Sequence, residues 1–187
     1  MKNLTAILRE QGACGKARAW AKDLSPEEAY ATCERGDWLL WIHTKLRSDE
    51  DALRKRVLVA GLTVNLVRSY MTDKRSTDAV DAAIAFGKGE IGIDELQTAV
   101  ADAICAAVHA ANAAKNAAYA IPDTATYIAA CAAHAVANAA ADAYAAHSAA
   151  NIVAKVADVA TYAKSADIFR AHITLDEMLN QLNQLQQ

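Results

Sequence analysis

The chain has 187 residues, a formal net charge of −3 and 22% charged residues. That length suits one compact domain with a buried core, and the charge balance gives no basis for nucleic-acid or anionic-membrane binding. Hydrophobic residues make up 54%, but alanine inflates the figure: 31 of the 65 residues from Ala99 to Ala163 are alanine, and no glycine follows Gly92.

Alanine is the strongest helix former and loses no side-chain entropy on folding. A long tract free of glycine and broken by one proline, Pro122, therefore reads as a set of helices. The expected fold class is all-α. It is read as a single helical domain over residues 1–187, with an N-terminal helical layer (1–86), an Ala-rich antiparallel layer (93–164) and a C-terminal helix (174–187).

In chain order, a first helix spans Leu4 to Gln11 and stops at Gly12, and a second spans Cys14 to Ala21. Ser25-Pro26-Glu27-Glu28 is a start signal: Ser25 caps, Pro26 fits the first turn and Glu28 closes a capping box. That helix is expected to reach Arg35, with Gly36 in the left-handed position beyond it. Asp37 then caps a fourth helix, which carries Trp38 and Trp41 at i and i+3 as core residues. Ser48 opens a long helix through Met71. Its middle, Val57 to Val67, is apolar nearly all round and so buried all round, which makes it the central helix. Arg47, Arg54, Lys55 and Arg56 crowd its first half, where they do not help the macrodipole, and are expected to face solvent.

Thr77 to Phe86 forms the next helix, followed by Gly87-Lys88-Gly89-Glu90-Ile91-Gly92. These letters match G-x-G-x-x-G, but a helix precedes them and no strand is expected nearby, so the segment is a turn rather than a phosphate loop. Beyond it, helices are expected from Asp94 to Ala120, from Asp123 or Thr124 to His147, and from Ser148 to Lys164. Thr174-Leu175-Asp176-Glu177 is a second capping box, opening Leu175 to Gln186.

Charge is uneven: residues 1–90 hold 15 Lys/Arg and 13 Asp/Glu, and residues 91–187 hold 4 and 9. Cys14, Cys33, Cys105 and Cys131 form no C-x-x-C pair and read as buried free thiols in a reducing cytosol. The start Met1-Lys2-Asn3-Leu4 lacks the apolar core of a signal peptide. Asp102, Lys115, Asp123, Asp142, Lys155 and Asp158 interrupt the Ala tract, which is therefore not a membrane span. The expected location is the cytoplasm, with no cofactor and no metal.

Small side chains let helix axes approach closely, so the Ala-rich helices are expected to pack along much of their circumference, against each other, the N-terminal layer or a second copy. A homodimer through these faces is one expectation. Within the tract, His109, Asn112 and Asn116 share a helical face one heptad after Asp102, and His134, Asn138 and Asp142 repeat the arrangement, as do His147, Asn151 and Lys155. They read as inter-helix hydrogen-bonding or solvent-facing groups. The rival reading is a His/Asp metal centre of a helical-bundle enzyme, although the Glu-x-x-His pairs of di-metal bundles are missing.

Gln11-Gly12-Ala13-Cys14, Ala17, Trp20 and the box Ala29-Tyr30-Ala31-Thr32-Cys33-Glu34-Arg35-Gly36-Asp37-Trp38-Leu39-Leu40-Trp41 resemble the Imm5-like family of immunity proteins, found in bacterial polymorphic-toxin loci and phage genomes. The resemblance covers about residues 4–160. The family tail often carries spaced tryptophans and arginines, where this chain has Tyr119, Tyr127, Tyr144 and Tyr162 with His and Asn. The resemblance implies a non-enzymatic inhibitor that binds another protein or a nucleoprotein complex. It would act as an immunity protein or a phage counter-defence factor, by occluding the partner's working surface or prying its subunits apart. Cys14, Trp20, Cys33, Arg35, Gly36, Asp37, Trp38 and Trp41 are the family-motif residues and are read as structural. The candidate partner contacts are Ala139, Tyr144 and Ala146 in the charge-poor layer and the basic cluster Arg47, Arg54, Lys55 and Arg56. A self-assembling structural helical protein is the third class considered.

Overall fold

The computed structural model describes residues 3–71, 73–99, 101–102 and 159–184, and among these the fold is all-α, with no strand. The elements are α1 (Leu4–Glu10), α2 (Gly15–Trp20), α3 (Pro26–Thr32), α4 (Gly36–Leu46), α5 (Glu50–Asn65), a 3₁₀ turn (Arg68–Tyr70) and α6 (Lys74–Lys88). Helix α7 opens at residue 93 and is described through 99. Then come α8 (Val159–His172) and α9 (Leu175–Gln184). Most of the Ala-rich layer, with Cys105, Cys131 and the candidate contacts Ala139, Tyr144 and Ala146, lies outside the described residues. Its His/Asn/Asp faces do too, apart from the exposed Asp102. Among the described residues no helix is long and apolar enough to cross a membrane.

The local start and stop signals are side-chain hydrogen bonds to otherwise orphaned helix-end N–H groups. Asn3 accepts from the Ala6 N–H at 2.8 Å. Ser25 and Glu28 form the full capping box, at 3.1 and 2.8 Å, and Thr174 and Glu177 repeat it. Gly89 ends α6 in the left-handed conformation at φ +78°, a region that favours glycine.

Four expectations need correction. Helix α3 stops at Thr32, and Cys33 is extended, so Gly36 is not its left-handed terminator; it is the first residue of α4. Asp37 does not cap α4, whose N-cap is Arg35; the Asp37 carboxylate is buried within the first turn. Asp49, not Ser48, caps α5, accepting from Ala52 at 3.1 Å, and the helix ends at Asn65. The helix expected to end at Lys164 continues to His172, because Ala166 and Phe169, with Ile173 just beyond the helix, supply buried positions at i, i+3 and i+7.

Two hydrophobic clusters organise the packing. The first joins α1, α2, α3, α4, α8 and α9 around Leu8, Leu40, Phe169, Ile173 and Met178. The second joins α5, α6 and α7 around Val57, Val64, Val80, Phe86 and Leu96. Helix α5 is the central helix expected over Val57–Val67: it contributes Val59 to the first cluster and Val57, Ala60 and Val64 to the second. Leu66, the C-cap just past its end, is 41% exposed, so burial does not run unbroken through Val67.

The returning C-terminal segment holds the N-terminal helices in place. Arg170 on α8 donates to the Tyr30 carbonyl at 2.9 Å and to the Cys33 carbonyl. The Tyr30 hydroxyl donates in the other direction, to the Ile173 carbonyl at 2.7 Å. Gly36 is the contact point of α4 with α8. A Cβ there would lie 2.5 Å from the Ser165 carbonyl carbon and 2.7 Å from the Ala166 nitrogen, both backbone atoms that cannot turn aside. The box glycine is thus required by close helix approach rather than by a turn. Gly36→Ala is expected to force α4 and α8 apart and to destabilise the fold by about 1–3 kcal/mol or more, as overpacking does. Gly15→Ala, whose Cβ meets nothing within 4 Å, is expected to leave stability unchanged or raise it by up to ~1 kcal/mol. Urea unfolding of the two variants beside the parent checks both signs.

Candidate functional site

The first cluster does not close completely. A cavity of about 360 Å³ lies between α1, α2, α3, α4 and α9. Its floor and sides are small or aliphatic: Leu4 and Leu8 from α1, Ala13 and Ala17 around α2, Ala29 from α3, Leu39 and Ile42 from α4. Helix α9 supplies the remaining wall with Leu175, Met178, Leu179 and Leu182, the i, i+3, i+4, i+7 stripe of an amphipathic helix laid on a core. Trp20, Tyr30, Trp38 and Trp41 furnish the aromatic surface. The indoles of Trp20 and Trp38 are 5.9 Å apart, centroid to centroid, and inclined at 58°. Trp20 is 37% exposed, which sets it at the solvent side of the cavity. The volume falls within the range of pockets that take small molecules.

The polar groups of the wall are engaged by the fold. Arg35 grips the buried Asp37 carboxylate through two parallel bonds, Nε to Oδ1 at 2.7 Å and Nη2 to Oδ2 at 2.5 Å. This is the fork geometry in which guanidinium–carboxylate pairs are strongest. The same guanidinium lies 4.7 Å above the Trp38 ring, a cation–π contact that fixes both side chains at the cavity edge. The Cys33 thiol donates to the Arg35 carbonyl at 3.5 Å, and burial pushes its pKa up, so it stays a neutral thiol. Burial likewise raises the Tyr30 phenol, whose proton is held by the Ile173 carbonyl. Among the described lining residues the cation and the anion, Arg35 and Asp37, are bonded to each other.

The residues that carry the resemblance converge here. Cys14, Trp20, Cys33, Arg35, Asp37, Trp38 and Trp41 all line the cavity, although they come from three helices and their flanking turns. Gly36 alone faces the other way, onto α8. Trp38 and Trp41 are half-buried, pack on the core and also border open space. Cys14 is exposed, against the expectation that all four cysteines are buried; Cys33 is buried. The α9 stripe and Ala29 also line the cavity, beyond the candidate residues of the sequence. The stripe is visible in the spacing of Leu175, Met178, Leu179 and Leu182, but its apposition to the motif is a long-range contact with no local signature.

The basic cluster does not face solvent as expected. Arg56 is only 4% exposed and donates to the Arg47 carbonyl at 2.7 Å. Arg47 binds Asp49, at 2.6 and 2.8 Å, and reaches Glu177 of α9 at 2.8 Å. Lys55 meets the same Glu177 oxygen at 2.7 Å. Arg54 bonds Glu50 and the Phe86 carbonyl, tying α5 to the end of α6. The four cations serve as internal ties, two of them fastening α9. Partial burial works against ionisation of Glu177, but the bonds from Lys55 and the Thr174 N–H outweigh it and hold its carboxyl below the usual range.

Among the described residues no three His, Cys, Asp or Glu side chains converge as metal ligands. Comparison with protein-family models, with curated proteins and with solved structures finds no match to this chain.

Behind the basic cluster lies His43, 1% exposed, its ring set edge-on to Phe169 at 6.0 Å. Neither ring nitrogen has a hydrogen-bond partner. Burial, with the Arg56 guanidinium adding to it, pushes the His43 pKa down to about 4 from an ordinary 6.5, and the carboxylate of Glu177 opposes this only in part. The native state thus holds a neutral imidazole, whereas the unfolded chain binds a proton once the pH falls below about 6.5. The stability associated with His43 is full above that value and declines as pH drops from 6.5 toward 4, by at most ~3 kcal/mol. His43→Leu is expected to flatten this part of the stability–pH curve. Denaturant midpoints measured between pH 7.5 and 4 for parent and variant give the difference, in which the titration of the carboxylates cancels.

Proposed function

We propose that this chain is a non-enzymatic protein-binding inhibitor, of the immunity or counter-defence kind, and that the motif cavity is the socket in which it seats an anchor of its partner. The observation that carries the reading is the convergence of seven motif residues on one neutral, aromatic-edged cavity. Residues that served packing alone would be expected to fill the space between their helices; these border space that is left open. A few buried aromatic or aliphatic anchors dominate the energy of most protein interfaces, and they seat in desolvated pockets of this composition. In this reading inhibition follows from occlusion of the partner's working surface. The basic cluster, occupied inside the fold, has no part in it.

The test is to fill the socket. Ala29 is 8% exposed and lines the cavity, so Ala29→Phe places a ring into the open space. Lys74→Glu, on the exposed start of α6, serves as the distant control. Tagged parent and both variants are expressed in the native host and their co-purifying proteins are quantified. The expected result is a stoichiometric partner with the parent and the Lys74→Glu variant, and recovery lowered roughly tenfold or more with a folded Ala29→Phe variant. Equal recovery from all three, or no partner with the parent, overturns the proposal.

A further inference from the structure

We infer that the cavity recognises a neutral, flat aromatic group of the indole or phenyl class, and discriminates against charged rings of either sign. This rests on the cavity being the binding site of the proposed function, but not on whether the ring is a side chain of a partner protein or a free small molecule.

Three observations lead to it. The first is electrostatic. Arg35 and Asp37 are joined by two parallel bonds at the cavity edge, so neither is left as an unpaired charge for an occupant to meet. The Tyr30 hydroxyl and the Cys33 thiol are likewise directed at backbone carbonyls. A charged occupant would lose its hydration without gaining an opposite charge, the most costly form of burial. The second is the aromatic geometry. Trp20, Tyr30, Trp38 and Trp41 all line the cavity, with Trp20 and Trp38 tilted at 58° and their centroids 5.9 Å apart, so an occupant meets a largely aromatic wall, the surface on which another ring packs best. The Arg35 guanidinium already covers Trp38 at 4.7 Å, so the cation–π position on that ring is taken and a cationic ligand gains nothing there. The third is shape. Small side chains, Ala17 and Ala29 among them, line part of the wall and leave depth that the indoles do not fill. Dispersion contacts missing on one side of each lining atom are restored by a close-fitting ring.

The test uses indole, benzoate and phenyltrimethylammonium as probes of one shape class and three charges, titrated by calorimetry into the full chain. Protection of the Cys14 thiol, which is exposed and lines the cavity, is read in parallel by alkylation and peptide mass spectrometry. Indole is expected to bind with a Kd of roughly 0.1–1 mM, as its size allows, and to slow Cys14 alkylation. Both charged probes are expected to bind roughly tenfold or more weakly. Ala29→Phe and Leu179→Phe fill the cavity from opposite walls, α3 and α9, and each is expected to abolish indole binding; if one fails to fold, the other decides. A charged probe that matches indole, indole binding that survives a folded filled variant, or no indole binding by the parent overturns the inference. A partner protein lost on filling the cavity, with no indole binding, overturns the ring class and leaves the protein-binding reading standing. Indole bound with no filling-sensitive partner assigns the ring to a free small molecule and overturns the protein-binding reading alone.

Discussion

Arg170 reaches back along the sequence by 140 residues to donate to the Tyr30 carbonyl and by 137 to the Cys33 carbonyl, at and just past the end of α3. The last carbonyls of a helix have no partner within it, and a buried carbonyl left without one costs free energy comparable to a lost hydrogen bond. A guanidinium with several donors in one plane can serve two such groups from one side chain, and Arg170 also bonds Asp167 at 3.1 Å. The tie fixes α8 against the end of α3. With α8 there, Ser165 meets Gly36, and the start of α4 is set by how closely the two backbones can approach. The short link from Cys33 to Arg35 between α3 and α4 spans those two anchor points. The cavity is bounded by helices that are positioned in this way from outside it, which is how it can stay open.

An open cavity in a core is not neutral. Atoms facing a void lack the dispersion contacts they would have in a filled interior, and measured costs rise by about 24 cal/mol per Å³ of residual volume in apolar cores. Two features make the open space tolerable here. Tyr30 and Trp38, which border it, are stiff rings held by other contacts: Tyr30 by the Ile173 carbonyl and Trp38 by Trp20 and Arg35. Asp37, 1% exposed, is held by Arg35 in a geometry that fixes the first turn of α4. Replacing such a pair by apolar residues of equal volume is often neutral or stabilising, so its value lies in positioning rather than in net energy. The aromatic edge is rigid because the charged pair beneath it is.

What could be read from the sequence divides along contact range. Helix class and most helix starts were legible because they are local: Ser25 with Glu28 and Thr174 with Glu177 satisfy groups three residues away. Burial of the Val57–Val64 stretch was legible because a helix apolar on all sides has no other place to go. Local rules offer sufficient explanations for Gly36 and Asp37, a helix terminator and an N-cap, while their operative partners are Ser165 of α8 and the side chain of Arg35. The basic cluster was placed in solvent for the same reason: Glu177, the carboxylate that engages Arg47 and Lys55, lies more than 120 residues further along. The extension of α8 to His172 was visible as Ala166, Phe169 and Ile173 but was hidden by the polar Lys164-Ser165 pair that begins it. The motif was legible as a set of residues and not as a place, since only the return of α8 and α9 turns it into an enclosure.

That enclosure links occupancy to the end of the chain. Helix α9 is fastened by an apolar stripe that is also the cavity wall and by the bonds of Glu177 to Arg47 and Lys55. A short terminal helix of this kind has little stability of its own and depends on the surface it covers. Any group that fills the cavity adds contacts to Leu175, Met178, Leu179 and Leu182 that are present only when α9 is docked. By mass action it therefore stabilises the docked helix by the same free energy that docking contributes to its own binding. Because α9 is tied through Glu177 to the α4–α5 junction, where Arg56 and the neutral His43 are buried, the effect reaches the interior of the fold.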